Sequence, residues 1–542
     1  MKLGNTPPLS DKAIHAWLLS GILVLGFCLR FHGVFWGLPN MFHPTYSYHP
    51  DEIYLLQWAD MLFAGKTIPK HFIYGGTFYY STLQATNRLG EIITGLAGGQ
   101  QLFNTMLTGR MLGILYAEVT IFLTCLAGSM LFHRRVGLLA ALFLAVMPGH
   151  IFWAQRIRPD ELFTLLVAVN LFFVIRMQKG YGAPRINIIL AGLALGVSIA
   201  TRFPAAVLFL AYAYAIFSRT TETQAGKKAI IVTVKHLLWL FGVVCLSYLA
   251  ASPHTVIYYK QFVSGMMVQW HYQSGDFVEA IGRGPRWLQY GGRIFSQAAG
   301  YPLYIITLAG ILLSLVKRRR EDLLLLCIIL PYFILLSMTS WVVVRYSIPL
   351  LPMFAILASR LIVQLCEKYR KAAITAVLAT ALSLLWTITA DIAYSNAIRG
   401  TDARDAAAGW MIKNAVPGSA VGAFIGYPGD VFYNPPGTSL QRWYYFNMKR
   451  DDIDLFLNAG FDYVIINDHF LREVRRLGGR YPQLSYRRLN SWNEEHPGYE
   501  LVQEFSRAVR AAGLDFGYQF TAPDYILARP HILIYKKLSG RR

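Results

Sequence analysis

The chain has 542 residues, of which 55% are hydrophobic and only 15% are charged, and its formal net charge is +21. A soluble domain carries about 25% charged residues, so this composition excludes an ordinary soluble protein. The hydrophobic residues form long runs, which are typical of helices that cross a membrane. The positive charge is concentrated in short loops between these runs. It therefore indicates membrane topology, and we expect no nucleic-acid partner.

Eleven apolar runs are predicted as membrane-spanning helices. They lie near residues 14–31, 107–132, 136–153, 161–177, 186–201, 203–217, 233–251, 300–316, 322–340, 344–366 and 372–391. No small-residue cleavage site follows the first run, since Phe35 and Trp36 stand there instead. We therefore expect this run to remain attached to the protein as an anchor.

The loops between the runs predict the orientation of the chain. If the N-terminus is cytoplasmic, every cytoplasmic loop is basic, as the positive-inside rule requires. These loops are 133–135, 176–185, 219–235, 317–320 and 368–371. The odd number of spans then places the C-terminal region on the other side of the membrane. We expect a multi-pass protein of the inner (plasma) membrane.

The chain divides into two predicted parts near residue 395. Residues 1–395 form a helical membrane domain, and its large first outer loop, 32–106, contains two amphipathic stretches near 51–64 and 78–97. Residues 396–542 are more polar, and short strand-like runs alternate there with helical pieces. The sequence therefore predicts a polytopic α-helical membrane protein with an extracytoplasmic α/β domain at its C-terminal end.

Adjacent carboxylates occur at two places on the predicted outer side. Asp51 and Glu52 begin the first amphipathic stretch, and Asp160 and Glu161 stand between the third and fourth spans. Each pair could have a purely structural role. The first could stabilise a helix N-terminus, and the second could be a cluster of interfacial charges. A carboxylate at this surface can also serve as general base toward a hydroxyl. Asp51 and Asp160 together are candidate ligands for a shared divalent metal, Mg²⁺ or Mn²⁺.

Cations and hydrogen-bond donors also collect on this side. They are Lys70 and Tyr74 in the first loop, Arg202 after the fifth span, His271 in the loop 252–299, and Arg345 near the tenth span. Each one alone is typical of an interfacial side chain with a polar tip. Together they suit the phosphate of a lipid headgroup.

The sequence contains no nucleotide-binding fingerprint. There is no phosphate-binding Gly-Lys loop and no glycine-rich turn between a strand and a helix. Nucleotide sugars are not expected outside the membrane. A transferase that acts there needs an activated donor that arrives in the lipid.

Several short motifs occur in a fixed order along the chain. His-Pro-Asp-Glu at 49–52 precedes an aromatic and glycine-rich stretch at 71–75, then Arg-Pro-Asp at 158–160, and finally Arg-Tyr-Ser-Ile-Pro-Leu-Leu-Pro at 345–352. In this order the chain resembles the polyprenyl-phosphate-sugar-dependent glycosyltransferases of the GT-C superfold. The protein O-mannosyltransferases and the lipid A aminoarabinose transferases are the most similar group in pattern.

The resemblance implies roles for individual residues. Asp51 matches the acidic residue of the first loop that serves as catalytic base, and Glu52 completes that pair. Asp160 matches a second acidic position, suited to orienting the acceptor or holding a metal. The cationic residues named above would bind the lipid phosphate. Some GT-C enzymes use a divalent metal and others do not, so the resemblance leaves the cofactor open.

The implied reaction is transfer of a sugar from a polyprenyl-phosphate-linked donor to an acceptor hydroxyl on the extracytoplasmic face, with inversion of the anomeric centre. The acceptor stays open between a protein, a lipid and a glycan. Two other functions are compatible with many spans. A transporter or flippase of a lipid-linked sugar would place charges near the bilayer midplane in repeated halves, and no repeat is visible. A non-enzymatic scaffold would tolerate the loss of Asp51.

Overall fold

The structure of the protein, a computed structural model, describes residues 11–65, 76–274, 284–424, 442–446, 455–456, 458–468, 491–492 and 494–538. The N-terminal helices are α1 (Asp11–His32), α2 (Pro50–Phe63), α3 (Phe78–Ala97), α4 (Gln101–Leu131), α5 (Arg134–Ala145), α6 (Pro148–Ala154), α7 (Pro159–Lys179), α8 (Pro184–Thr201), α9 (Leu208–Thr223) and α10 (Gly226–Ala251).

The later helices are α11 (His254–Ile257), α12 (Tyr259–Ser274), α13 (Arg286–Leu288), α14 (Phe295–Ala299), α15 (Tyr301–Lys317), α16 (Arg320–Ser337), α17 (Leu351–Lys368), α18 (Arg370–Arg399), α19 (Ala403–Asn414) and α20 (Pro523–Leu527). Short 3-10 turns occur at Phe203–Val207, Val344–Tyr346 and Ile348–Leu350, and a π-helical turn at Gln289–Ile294. The two amphipathic stretches predicted in the first loop correspond to α2 and α3.

Seven segments of the described chain are long and apolar enough to cross a membrane, and one bent helix pair would make eight. They are Asp11–His32, Gln101–Leu131, Pro184–Thr201, Phe203–Thr223, Gly226–Ala251, Val344–Lys368 and Ala373–Asn414. The runs predicted at 161–177, 300–316 and 322–340 are helices α7, α15 and α16, outside this set. A polytopic helical membrane protein is confirmed, and the count of eleven spans stays a prediction.

The run at 136–153, predicted as one span, is bent by 60° between α5 and α6. Helix α5 ends at Ala145, and Pro148 occupies the first turn of α6. A proline has no backbone N–H to continue the preceding helix, and its ring clashes with the preceding turn. The bend turns the short helix α6, all of whose residues are buried, toward the start of α7.

The basic connections meet at one end of the helix bundle. His133 and Arg135, before and within α5, lie 3.4 and 3.7 Å from Glu367 near the end of α17. At the end of α7, Lys179 pairs with Glu321 of α16 at 2.7 Å. Loops far apart in sequence thus share one surface. The starts of α2 and α7 and the end of α8 lie at the opposite end of these helices.

The C-terminal region contains a mixed sheet with the order β2-β1-β3-β7-β4. The strands are β1 (Ala420–Phe424), β2 (Arg442–Phe446), β3 (Tyr463–Asn467), β4 (Tyr499–Phe505), β5 (Arg510–Ala511), β6 (Leu514–Asp515) and β7 (Ile532–Lys537). Strands β1 and β2 and strands β1 and β3 pair in parallel, and β7 is antiparallel to β3 and β4. The predicted α/β character is confirmed. The boundary at residue 395 stays a prediction.

Part of the C-terminal region packs inside the helix bundle. Residues 516–527, here called the insertion segment, contribute Phe516, Phe520 and Tyr525 to the same hydrophobic core as the spans. The Tyr394 ring of α18 stacks on Phe520 with the centroids 4.4 Å apart, and it meets Tyr525 edge-on at 5.4 Å. The chain therefore returns to the membrane domain after forming most of the sheet.

We expect Gly310→Ala to destabilise the bundle. An added Cβ at Gly310 of α15 would lie 2.5 Å from the carbonyl oxygen of Leu357 in α17, so the two helices must separate. Such overpacking costs about 1–3 kcal/mol, and thermal unfolding in detergent should show a lower Tm. Gly242→Ala is the matched control, because nothing lies within 4 Å of the added Cβ there. An equal Tm for both variants would contradict the close packing of α15 on α17.

Candidate active site

The acidic pair at the start of α2 is divided between two environments. Pro50 occupies the first turn, and Nδ1 of His49 accepts a hydrogen bond from the backbone N–H of Asp51 at 3.3 Å. Burial lowers the pKa of His49 well below its usual range, which keeps the ring neutral and Nδ1 able to accept. The Asp51 side chain is 42% exposed, whereas Glu52 is completely buried. Of the two, Asp51 is placed to meet a ligand.

The Glu52 carboxylate accepts hydrogen bonds from three parts of the chain. Arg110 of α4 donates from Nε to Oε1 at 3.0 Å and from Nη2 to Oε2 at 2.7 Å. The Ser47 hydroxyl donates to Oε2 at 2.6 Å, and the backbone N–H of Ile157 donates to Oε1 at 3.0 Å. Four donors surround the group. The geometry therefore favours a positioning role for Glu52 over a role in proton transfer.

Burial and the neighbouring cation act in opposite directions on Glu52. Removal of the carboxylate from water raises its pKa, but the charge and hydrogen bonds of Arg110 outweigh burial and lower the pKa to about 2. The group is therefore ionised at neutral pH. A buried ion pair whose remaining lone pairs are also bonded is the arrangement in which attraction can offset desolvation.

Four charged side chains alternate in sign beside this buried pair. Arg158 forms an ion pair with Asp51 through Nη1, and its Nε lies 3.4 Å from Oδ2 of Asp160. Oδ1 of Asp160 pairs in turn with Nη2 of Arg202 at 2.7 Å. The structure thus brings together three residues predicted separately: the acidic residues of the first loop and of α7, and Arg202. Arg158, between them, is 5% exposed.

Helix boundaries set the backbone that presents both arginines. Arg158 is extended (φ −144°, ψ 149°) because Pro159 follows it and begins α7. A residue before proline is disfavoured in helical conformation. Arg202 is also extended (φ −151°, ψ 127°), since α8 ends there and a new helical turn begins at Phe203. Each arginine therefore stands at a break between two helices.

Arg345 completes the cluster. Its guanidinium carbon lies 5.4 Å from the ring centroid of Tyr346, and that of Arg202 lies 5.5 Å from the same ring. Trp153 and Trp341 also lie within 6 Å of the Arg345 guanidinium. Aromatic faces attract cations and hold the planar group in place. Cations from three distant parts of the chain therefore converge on one site with Asp51 at its exposed edge.

The remaining predicted phosphate ligands are Lys70, Tyr74 and His271. Lys70 and Tyr74 lie outside the described residues. His271 is exposed near the end of α12, beyond Phe262, whose ring contacts Phe203 with the centroids 6.1 Å apart. It is therefore on a neighbouring element, and its part in phosphate binding stays a prediction.

Sequence reasoning missed two residues that shape the site. Arg110 lies within a predicted span, and a charged residue inside an apolar run is itself a signal of function or pairing. Asp524 pairs with Arg345 at 3.0 Å. It lies in an ordinary polar stretch of the C-terminal region, and no sequence pattern distinguishes it.

Comparison with known proteins gives three findings. The profile of the dolichyl-phosphate-mannose-protein mannosyltransferase family matches residues 96–253. A search of curated proteins finds no match. Among solved structures, the chain is similar to the oligosaccharyltransferase AglB of Archaeoglobus fulgidus in complex with an inhibitory peptide and a dolichol-phosphate. The TM-score is 0.52 at 12% identity, over 87% of this chain and 71% of that chain.

The chain is also similar to ArnT of Cupriavidus metallidurans bound to undecaprenyl phosphate. The TM-score is 0.53 at 12% identity, over 97% of this chain and 98% of that chain. At such low identity these likenesses show the fold alone. The chain has the fold of the GT-C glycosyltransferases, and the resemblance seen in the sequence is confirmed.

We expect Glu52→Gln to destabilise the protein by about 3 kcal/mol near pH 7, because it leaves the buried Arg110 charge without its counter-ion. The folded-state pKa of Glu52, about 2, lies below the ordinary value of 4.5. Its stabilisation is therefore full above pH ~4.5 and is lost as the pH falls toward ~2. The free energy of unfolding of the wild type and of Glu52→Gln would be measured at pH 7 and pH 3. The difference between the two proteins should be smaller at pH 3.

A matched control for this prediction is Glu91→Gln. Glu91 pairs with Arg88 at 2.9 Å on an exposed face, and pairs of that kind contribute about 0–1 kcal/mol. If Glu52→Gln cost no more stability than this control at pH 7, the buried pair would not hold the first loop to α4.

Proposed function

We propose that this chain is a membrane glycosyltransferase that moves a sugar from a polyprenyl-phosphate-linked donor to an acceptor hydroxyl at the extracytoplasmic surface. The observation that carries the proposal is the half-exposed Asp51 carboxylate, which is paired with Arg158 in a cluster that also contains the guanidinium groups of Arg202 and Arg345. A proton acceptor and a set of phosphate-binding cations are the two groups that this reaction requires. The lipid phosphates in the two similar structures support the choice of donor.

The proposed reaction exchanges one bond for another. The acceptor hydroxyl gives its proton to Asp51 as its oxygen attacks the anomeric carbon of the donor. The bond from that carbon to the phosphate oxygen breaks, and its electron pair stays on the phosphate. Arg345 and Arg202 stabilise the negative charge that develops there, which is the largest single contribution that such sites make. Attack opposite the leaving group inverts the anomeric centre.

The contacts of Arg158 suggest the order in which donor and acceptor take part in the proposed reaction. Its guanidinium now pairs with both Asp51 and Asp160. A lipid phosphate that enters beside it competes for the same donors, because guanidinium groups bind phosphate in a bidentate way. Phosphate binding would thereby release Asp51 to accept a proton from the acceptor, while Asp160 remains held by Arg202. Donor binding would precede activation of the acceptor.

The described residues do not fit a metal shared by Asp51 and Asp160. Arg158 lies between the two carboxylates and pairs with both, and Arg202 takes the other oxygen of Asp160. Fixed positive charge thus occupies the place of a bridging cation. Within the described part of the chain, no group of three or more His, Cys, Asp or Glu residues is arranged to hold a metal. The proposed reaction therefore has no step through a metal.

We expect Asp51→Asn to reduce sugar transfer about 10²–10⁴-fold, since it removes the proton acceptor. Purified protein in lipid would be supplied with radiolabelled polyprenyl-phosphate sugars and an acceptor-rich membrane extract. Asp60→Asn, on the same helix, is the matched control and should retain turnover. Asp160→Asn should also lower turnover. Addition of a chelator should leave the turnover of the wild type unchanged. If wild type consumed no donor, or if Asp51→Asn turned over normally, the proposal would be wrong.

The proposal requires the basic end of the bundle to be cytoplasmic and the Asp51 end to be outside. In a variant without native cysteines, Lys227→Cys, in the first turn of α10, should react with an impermeant maleimide only in permeabilised cells. Ser506→Cys, after β4, should react in intact spheroplasts. Both positions are exposed, so burial does not confuse the result. The opposite labelling pattern would place the site on the cytoplasmic side and contradict the orientation.

A further inference from the structure

Asp524 of the insertion segment is bonded on both sides of its carboxylate. Oδ1 accepts a hydrogen bond from Nη1 of Arg345 at 3.0 Å. Oδ2 accepts from the backbone N–H groups of Val344 at 2.6 Å and Arg345 at 3.2 Å. One carboxylate thus holds both the side chain and the backbone of Arg345. The Asp524 side chain is 3% exposed, so water does not replace these bonds.

The insertion segment is itself fixed to the helix bundle. Oε1 of Gln297 in α14 accepts from the backbone N–H groups of Thr521 and Ala522 at 3.2 and 2.8 Å. The Tyr525 hydroxyl donates to the carbonyl oxygen of Gln297 at 3.1 Å. The Tyr525 ring packs edge-on against Phe152 of α6, with the centroids 4.9 Å apart. The backbone around Asp524 is therefore held from several directions.

Asp524 leaves part of the Arg345 guanidinium available. The ion pair uses Nη1. Nε is buried and has no hydrogen-bond partner in the part of the chain that the structure describes. An arginine has five N–H donors in a rigid plane, so one carboxylate can orient the plane while other donors stay open to a second anion.

We propose that Asp524 is a positioning residue that orients Arg345 toward the phosphate of the lipid-linked donor, so that the C-terminal region completes the active site. This inference rests on the proposed function above. Asp524 would touch neither sugar nor phosphate and would act only through Arg345. A preoriented arginine loses little side-chain freedom when the donor binds, and the affinity for the donor rises accordingly.

The experiment measures donor binding and turnover separately. Asp524→Asn keeps the shape of the side chain but replaces one acceptor oxygen with an amide that must face a donor. We expect it to weaken binding of undecaprenyl phosphate about tenfold and to raise the donor KM by a similar factor. Binding would be measured with purified protein in nanodiscs. Asp524→Glu restores the charge and should recover part of the loss.

A double-mutant cycle distinguishes positioning from general support of the fold. If Asp524 acts through Arg345, then Asp524→Asn adds nothing to the loss in binding caused by Arg345→Ala. If the two losses are additive, the inference is wrong. Asp515→Asn is the matched control, because Asp515 is exposed in β6 of the same region and its bonds go to Arg510 at 3.4 Å and to the backbone N–H of Gly517 at 2.8 Å rather than to Arg345. It should change neither binding nor KM.

The outcomes separate this inference from the proposed function. If Asp524→Asn bound undecaprenyl phosphate as tightly as the wild type and had the same KM and turnover, the inference would be overturned. The proposal of a glycosyltransferase would still stand. A tenfold weaker binding with no coupling to Arg345, or with an equal effect of Asp515→Asn, would also overturn it. A wild-type protein that neither binds undecaprenyl phosphate nor consumes any donor would reject both.

Discussion

The buried carboxylate of Glu52 determines the geometry of the site. It joins the first loop, α4 and the connection between α6 and α7 through bonds to Ser47, Arg110 and the N–H of Ile157. Its neighbour in sequence is Asp51, and the neighbour of Ile157 is Arg158. One fully bonded group thus fixes the backbone on both sides of the Asp51–Arg158 pair. Removal of either partner from such a pair leaves an uncompensated buried charge, so this junction resists distortion.

From that junction the site extends as a row of alternating charges. Asp51, Arg158, Asp160 and Arg202 pair in sequence, and the ring of Tyr346 lies between Arg202 and Arg345. Alternation allows several charges to stay ionised with little water, because each has an opposite charge beside it. It also leaves the row with an exposed carboxylate at one edge. An anion that enters can exchange partners with the row and does not have to be desolvated alone.

The sequence was sufficient to predict most of the helices and the acidic pair of the first loop. Periodicity and proline placement are local properties, so α2, α3 and four of the five strands of the sheet could be read directly, whereas β2 was not predicted. It was not sufficient to separate Asp51 from Glu52, because their difference depends on Arg110, which is distant along the chain. Asp524 could not be found for the same reason. His271 was grouped with Arg345 because both are basic and were predicted on the same side of the membrane. Charge and predicted side can assign a residue to a surface, but they cannot assign it to a particular cluster.

The use of arginine rather than lysine is consistent with this architecture. Arg110, Arg158 and Arg345 each bind a carboxylate through one or two nitrogens of a rigid plane, so the direction of the remaining donors is fixed. A lysine ammonium rotates on a flexible stem and would transmit no such direction. The carboxylates that hold Arg158 and Arg345 come from opposite ends of the chain, the first loop and the insertion segment. Correct orientation of the cations therefore requires both ends to be folded against the bundle, which makes the C-terminal region part of the site's electrostatics rather than an appended domain.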